Sequence, residues 1–344
     1  MKKIAFIITN VFLLVLLIAC QSGNDLPNDK TYTREAVELT FEVTTGANLN
    51  ETQDGFTGGG RQQITTTFLS NPSRVALFTF DVLDILDIVG IENTSITRLG
   101  FPKNDLPSYL LGYQTNSYRN VGTLFMPSFD DLDLFLPELI IIGGRSASAY
   151  DLLKIHYPEA DILDVTLVDG AYLTSVTRNV ENLKLLFPSI TDALNANLTT
   201  ITSNFTHFNT LIDALDAMLI MVNGNSLSTY GSLSRFSVLY NEFGFIPSDT
   251  QMESTQSHGE LISYEYIRQI NPSVIFIIDR GLAIGNESNS EEVYKNALVK
   301  QTKAGLNNQI YELDGTAWYL SMGGFQSTEK MFSDLQQLLD YISE

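Results

Sequence analysis

Tyr172-Leu173-Thr174-Ser175-Val176-Thr177-Arg178-Asn179-Val180-Glu181-Asn182-Leu183-Lys184-Leu185-Leu186-Phe187 is the stretch around which the chain is organised. Its apolar residues Leu173, Val176, Val180, Leu183, Leu186 and Phe187 recur every three or four positions, the period of one helical face rather than of a strand. Asp169 and Gly170 offer capping and turn chemistry ahead of it, and Pro188 ends it because proline cannot donate the next intrahelical hydrogen bond. Such a helix spans about 24 Å, enough to cross the side of a small domain. The chain alternates strands and helices on both sides of it, which predicts an α/β protein of two Rossmann-like lobes bridged by a single long α-helix. The expected boundaries are 36–170 for the first lobe, 171–188 for the bridge and 189–344 for the second lobe, with a ligand cleft between the lobes.

In the first lobe, Val37, Leu39, Phe41 and Val43 alternate with polar residues, as do Ile64, Thr66 and Phe68, so two strands are expected. The polar, glycine-rich segment Thr45–Gly60 between them reads as a surface insertion rather than a functional flap. A strand at Arg74–Phe80, a helix at Asp81–Val89, a helix at Phe129–Phe135 capped by Ser128, and a strand at Leu139–Ile142 follow. Beyond the bridge, Ser189 is placed to cap a helix carrying Leu194, Leu198, Ile201, Phe205, Phe208, Leu211, Ile212 and Leu215. Strands at Met218–Val222, Val274–Ile278 and Tyr311–Leu313, a turn at Gly231–Arg235, a helix at Tyr264–Ile270 capped by Ser263 and a closing helix at Glu329–Ile342 complete the second lobe.

A short repeat links the two halves. Leu136-Pro137-Glu138-Leu139-Ile140-Ile141-Ile142-Gly143-Gly144-Arg145 and Asn271-Pro272-Ser273-Val274-Ile275-Phe276-Ile277-Ile278-Asp279-Arg280 share a helix-ending proline, an aliphatic strand and a terminal arginine. Ligands of open parallel sheets sit outside the carboxyl ends of the strands, so both arginines would face one crevice if the lobes oppose each other. Arg235, in Tyr230-Gly231-Ser232-Leu233-Ser234-Arg235-Phe236, has a comparable setting. A single arginine at a strand end usually makes a surface ion pair, but three planar, permanently charged forks together define a polyanion site.

The formal charge of −20 argues against nucleic-acid binding, which needs clustered Lys and Arg. Lys2 and Lys3, the apolar run Ile4–Ala19 and then Cys20 describe a secretory signal peptide over 1–19. Leu17-Ile18-Ala19-Cys20 resembles a bacterial lipobox, which implies a diacylglyceryl group on Cys20 and a lipidated tether over 20–35. Cys20 is the only cysteine, so neither a disulfide framework nor a thiolate metal site is expected in the folded part. With only His156, His207 and His258 available, a multi-histidine metal site is not expected either. For His258, in Gln256-Ser257-His258-Gly259, a structural role and contact with a bound cation both stay open. Trp318 is assigned to the core, whereas Tyr319 could present a phenolate to a hard trivalent metal. A nucleophile elbow, a phosphate-binding glycine loop and a metalloprotease histidine pair are all missing, so no enzyme is expected.

Val75–Gly90, Leu139–Tyr150, Tyr230–Phe236, Ser257-His258-Gly259, Phe276–Gly285 and Trp318-Tyr319-Leu320, in this order, resemble the siderophore-binding lipoproteins of bacterial ABC importers, in the branch for ferric catecholates of the petrobactin and enterobactin type. The resemblance runs from about Arg74 to the carboxyl end. It implies the class III fold of two α/β lobes on a helical backbone and a monomeric receptor, lipid-anchored outside the cytoplasm, that delivers its ligand to an ABC permease. It further implies that Arg145, Arg235 and Arg280 hold the anionic ferric complex. His258 and Tyr319 would complete iron coordination where the siderophore supplies too few oxygens. Ser146 departs from the pattern, since relatives often carry glutamine after this arginine. No cofactor is implied beyond the Fe(III)-siderophore cargo. Heme, cobalamin or another metal chelate is the alternative ligand, and a surface adhesin or enzyme the alternative class.

Overall fold

The computed structural model describes residue 26 and residues 30–50, 55–212, 215–251 and 259–343. Cys20, the signal sequence and His258 lie outside the described residues.

A parallel sheet forms the centre of the first lobe. Its strands run in the order Arg98–Gly100, Arg74–Leu77, Leu139–Ile142 and Asp161–Asp164. The chain reverses its direction of winding between Arg74–Leu77 and Leu139–Ile142, and at such a switch point the loops after the two strands diverge and leave a crevice. Phe78 and Thr79, with Asp81 in the first turn of the helix Phe80–Val89, stand on one side and Gly143–Arg145 on the other. The second lobe has Asp216–Asn223, Val274–Asp279 and Ile310–Glu312 in parallel, extended antiparallel by Ser226–Thr229 and Glu260–Ile262.

The repeat is real at the level of the backbone. Helix Phe129–Phe135 is capped by the Ser128 hydroxyl and ends on Leu136 at φ 55°, and helix Tyr264–Ile270 is capped by the Ser263 hydroxyl and ends on Asn271 at φ 57°. A left-handed residue closes each helix, proline prevents its continuation, and a fully buried strand follows. Each strand is therefore followed closely by its arginine, Arg145 three residues past one strand end and Arg280 directly past the other.

Four expectations need correction. The hairpin is far longer than its hydrophobic alternation indicated: Ala36–Asn50 pairs with Gly55–Leu69, so most of the supposed insertion is ladder, with Asn50 opposite Gly55. The alternation fades in Thr45–Gly60 because that half is polar and glycine-rich, whereas backbone pairing needs no apolar side chain.

The bridge is the second correction. Tyr172–Leu186 is a helix with Val176, Val180, Leu183 and Leu186 buried, but it stays tied to the first lobe through Asn179 Nδ2 to the Val165 carbonyl (2.6 Å) and Asn182 Nδ2 to the Thr40 carbonyl (3.3 Å). The helix between the lobes is the next one, Thr191–Ile212, whose 22 residues span about 33 Å. Its buried face is Leu194, Ile201, Phe205, Phe208 and Ile212. Periodicity reports that a helix buries a face, not which body it is buried against. Nor does Ser189 cap this helix; its hydroxyl donates to the Asn93 carbonyl (2.7 Å), and a turn at Pro188–Ile190 leads in.

The closing helix is two helices, Phe325–Asp334 and Gln336–Ser343, broken at the buried Leu335. The first starts earlier than its apolar period suggests because Asp84 of the first lobe caps it, accepting the Gln326 and Ser327 N–H groups at 2.7 and 2.8 Å.

Candidate functional site

At the switch point of the first sheet lies a cleft of about 630 Å³, walled by Phe78, Thr79, Asp81, Gly143, Gly144, Arg145 and Val165–Asp169 from the first lobe and by Arg235, Tyr319, Leu320 and Met322 from the second. Local chemistry sets each cation in place. Arg145 follows the strand Leu139–Ile142 across Gly143, where an added Cβ would sit 3.1 Å from the Thr79 hydroxyl. The buried Ser146 fixes this turn: its Oγ accepts the Gly143 N–H (3.2 Å) and lies 3.1 Å from the Gly143 carbonyl. Ser146 thus shapes the backbone and does not face the cleft. Arg235 is carried by a turn that the Ser234 hydroxyl closes onto the Gly231 carbonyl (2.7 Å). Arg280 opens a single helical turn capped by Asp279, which also gathers the Asn289 and Ser290 N–H groups and the Ser288 hydroxyl. Burial works to raise the Asp279 pKa, but these donors outweigh it and hold the carboxyl below its usual range.

The three guanidiniums converge on Tyr319. The Arg145, Arg235 and Arg280 Cζ atoms lie 4.5, 4.9 and 5.7 Å from the centre of its ring. Arg145 Nη2 donates to the Tyr319 carbonyl at 2.7 Å, Arg235 Nη2 reaches the same oxygen at 3.5 Å, and Arg280 Nε donates to the Tyr319 hydroxyl at 2.9 Å. Arg280 also donates to Asn223 Oδ1 (3.0 Å) at the end of the neighbouring strand, so it stands behind Tyr319 and is not part of the cleft wall. Burial and the like charge of Arg235 push the Arg145 pKa down from its ordinary value, which lies so high that the group stays cationic. Burial would raise the Tyr319 phenol, but Arg145, the Arg280 hydrogen bond and Arg235 together bring it below its usual value. Trp318 is wholly buried as expected, its indole N–H given to Asp334 (2.8 Å).

The chain is similar to known proteins along nearly its whole length. A family profile described as periplasmic binding protein covers residues 192–317. The catecholate-siderophore binding protein VctP from Vibrio cholerae is 33% identical, covers 79% of this chain and 96% of its own, and superposes with a TM-score of 0.71. The chain belongs to the periplasmic binding protein family. The petrobactin-binding protein YclQ of Bacillus subtilis is 29% identical over 343 residues, which is 99% of this chain and 100% of the relative, and its crystal structure gives a TM-score of 0.73. A TroA-like binding protein from Xylanimonas cellulosilytica, 24% identical with a TM-score of 0.75, shares the fold.

Other residues of this binding-protein cleft escaped the sequence reading. Arg61, just past the expected insertion, lies in the hairpin ladder opposite Thr44 and lines the cleft with it. It is tied to Glu42 (3.0 Å) and to the buried Asp164 (3.3 Å). Phe125 stands 5.8 Å from the Arg145 guanidinium, half exposed at the cleft mouth. Asp81 lies on the cleft floor, and burial pushes its carboxyl up to about 6 against the opposing pull of its Thr79 hydrogen bond. Isolated acids and arginines in loops carry no sequence signal for a shared cavity; only the switch-point rule could have pointed to the loop after Arg74–Leu77. The remaining histidines stay outside: His156 ends the helix Tyr150–His156 with its ring 4.8 Å from Phe129, and His207 is exposed on Thr191–Ile212. Among the described residues, no group of three or more His, Cys, Asp or Glu could hold a metal ion.

Proposed function

We propose that the protein captures a ferric siderophore of the catecholate type in the inter-lobe cleft and hands it to an ABC permease for iron uptake. The observation that carries this reading is the convergence of Arg145, Arg235 and Arg280 on one residue at the cleft. A ferric ion wrapped by three doubly deprotonated catecholates is a trianion, and three guanidiniums are its complement. The names of the similar proteins, petrobactin-binding and catecholate-siderophore binding, support the same ligand class. Phe125, half exposed at the cleft, gives it an aromatic surface for a flat ring. The lipobox-like Leu17–Cys20 supports anchoring by an acylated Cys20 on the outer side of the membrane, and the receptor would act as a monomer. With a tetradentate siderophore, which leaves iron positions open, Tyr319 and His258 would complete the coordination.

The test is titration with ferric complexes while following the fluorescence of Trp318, the single tryptophan and the immediate neighbour of Tyr319. Quenching that saturates at low ligand concentration with ferric catecholates is expected. With a tetradentate ligand, a charge-transfer band that disappears in Tyr319→Phe is also expected. Tight binding of heme or a cobalamin, with no response to catecholate complexes, would overturn the ligand assignment.

A further inference from the structure

We propose that Tyr319 is the positioning residue of the anion site, holding the three guanidiniums in place before any ligand arrives, in addition to any contact it makes with iron. The inference rests on the ligand class proposed above. Three like charges drawn to one spot repel one another, and cationic side chains normally settle such a cost by pairing with carboxylates. Among the described residues, none of Arg145, Arg235 and Arg280 forms an ion pair, although Arg34, Arg61, Arg74 and Arg119 all do. Asp169 and Asp81 act on Arg235 and Arg145 only from beyond ion-pair distance, so the direct contacts of the guanidiniums set their geometry.

Tyr319 supplies three different holds. Its carbonyl accepts Arg145 and is shared with Arg235, its hydroxyl accepts Arg280, and its ring lies within 4.5–5.7 Å of all three Cζ atoms. The carbonyl is available because Tyr319 lies at the end of the wide turn Thr316–Leu320. There the closing bonds run from Ser321 N–H to the Thr316 carbonyl and from Gly324 N–H to the Ser321 carbonyl. The last carbonyls of a helical turn have no intrahelical donor, and here arginines take that role. Trp318, buried and bonded to Asp334, anchors the turn from behind, so the platform is rigid. A neutral residue can hold three cations without cancelling their charge, whereas a carboxylate in its place would compete with the anionic ligand.

Two measurements test this. In the ligand-free protein, the Arg280 Nε proton should be protected from solvent exchange in NMR spectra and should lose that protection in Tyr319→Phe, which keeps the ring and the carbonyl. This readout stands whether or not ferric complexes bind. The second uses a hexadentate ferric tris-catecholate, whose iron has no position left for a protein atom. Tyr319→Phe should bind it about tenfold more weakly, and adding Arg280→Ala to Tyr319→Phe should cost much less than Arg280→Ala does alone, because the two residues act as one unit. Parent-like protection of the Arg280 proton in Tyr319→Phe would overturn the proposal. So would parent-like affinity for the hexadentate complex, or strict additivity of the two substitutions. A defect confined to tetradentate complexes would leave Tyr319 as an iron ligand only. Failure of the unsubstituted protein to bind any ferric complex would instead remove the ligand assignment, with the NMR arm still deciding the positioning role.

Discussion

Arg145→Glu is expected to reduce binding of a ferric tris-catecholate by more than a hundredfold, and Arg145→Ala by more than tenfold. At about 5 Å and an effective dielectric near 20, a guanidinium attracts each unit of ligand charge by roughly 3 kcal/mol before desolvation. Solvent at the half-buried cleft wall lowers that figure, and a trianion multiplies it. Charge reversal also replaces attraction by repulsion and places a carboxylate against Arg235, its nearest like charge. It removes the 2.7 Å bond to the Tyr319 carbonyl as well, so the loss spreads through the shared platform. Arg268→Ala is the control: this arginine is exposed on the helix Tyr264–Ile270, away from the cleft. The protein's large negative charge is screened beyond about 8 Å, so Arg268→Ala should leave affinity unchanged. Titration followed by Trp318 fluorescence separates the variants; equal affinities for Arg145→Glu and Arg268→Ala would remove the cleft from consideration.

The readable parts of this chain were those determined within ten or so neighbouring residues. The Ser128 and Ser263 caps, the proline after each helix and the aliphatic strand that follows are local decisions, so the repeated arginines were visible from spacing alone. Tyr319 was visible as a candidate only, because its partners lie 174, 84 and 39 residues away in sequence. The polar half of the hairpin was misread for a related reason. Its residues pair through backbone groups and through Arg61 to a buried acid at the end of a distant strand. The bridging role went to the wrong helix because Tyr172–Leu186 and Thr191–Ile212 are both amphipathic; what separates them is that Asn179 and Asn182 bind the first lobe.

Asp84→Ala is expected to lower stability by about 2–6 kcal/mol, because the two buried N–H groups that it caps are left without acceptors at about 1–3 kcal/mol each. Asp84 sits on the first-lobe helix Phe80–Val89, yet its carboxylate closes the start of Phe325–Asp334 and receives the Tyr109 hydroxyl at 3.2 Å. Asp87, one turn on, accepts the Gln326 side chain (2.7 Å) and Tyr113 (2.7 Å), so the two acids rivet one end of the second lobe to the first. The fit is close enough that a Cβ on Gly324 would lie 2.4 Å from the Asp84 carboxyl, which makes glycine the only residue accommodated there without movement. Burial pushes Asp84 up to about 7, with the Gln326 and Ser327 N–H groups opposing and Asp81 assisting. A carboxyl raised on folding contributes its stability fully below its unfolded pKa, and that contribution is lost as pH rises through about 7. The melting temperature should therefore fall as pH rises from about 4 to about 7 and level off above it. Asp84→Asn, which cannot ionise, should show a deficit relative to the parent that narrows across the same range. Asp81, pushed up to about 6, keeps part of the slope in that variant. A deficit independent of pH would mean that Asp84 is ionised throughout and acts as a charged cap. An unchanged melting temperature in Asp84→Ala would show that the lobes hold together without this rivet.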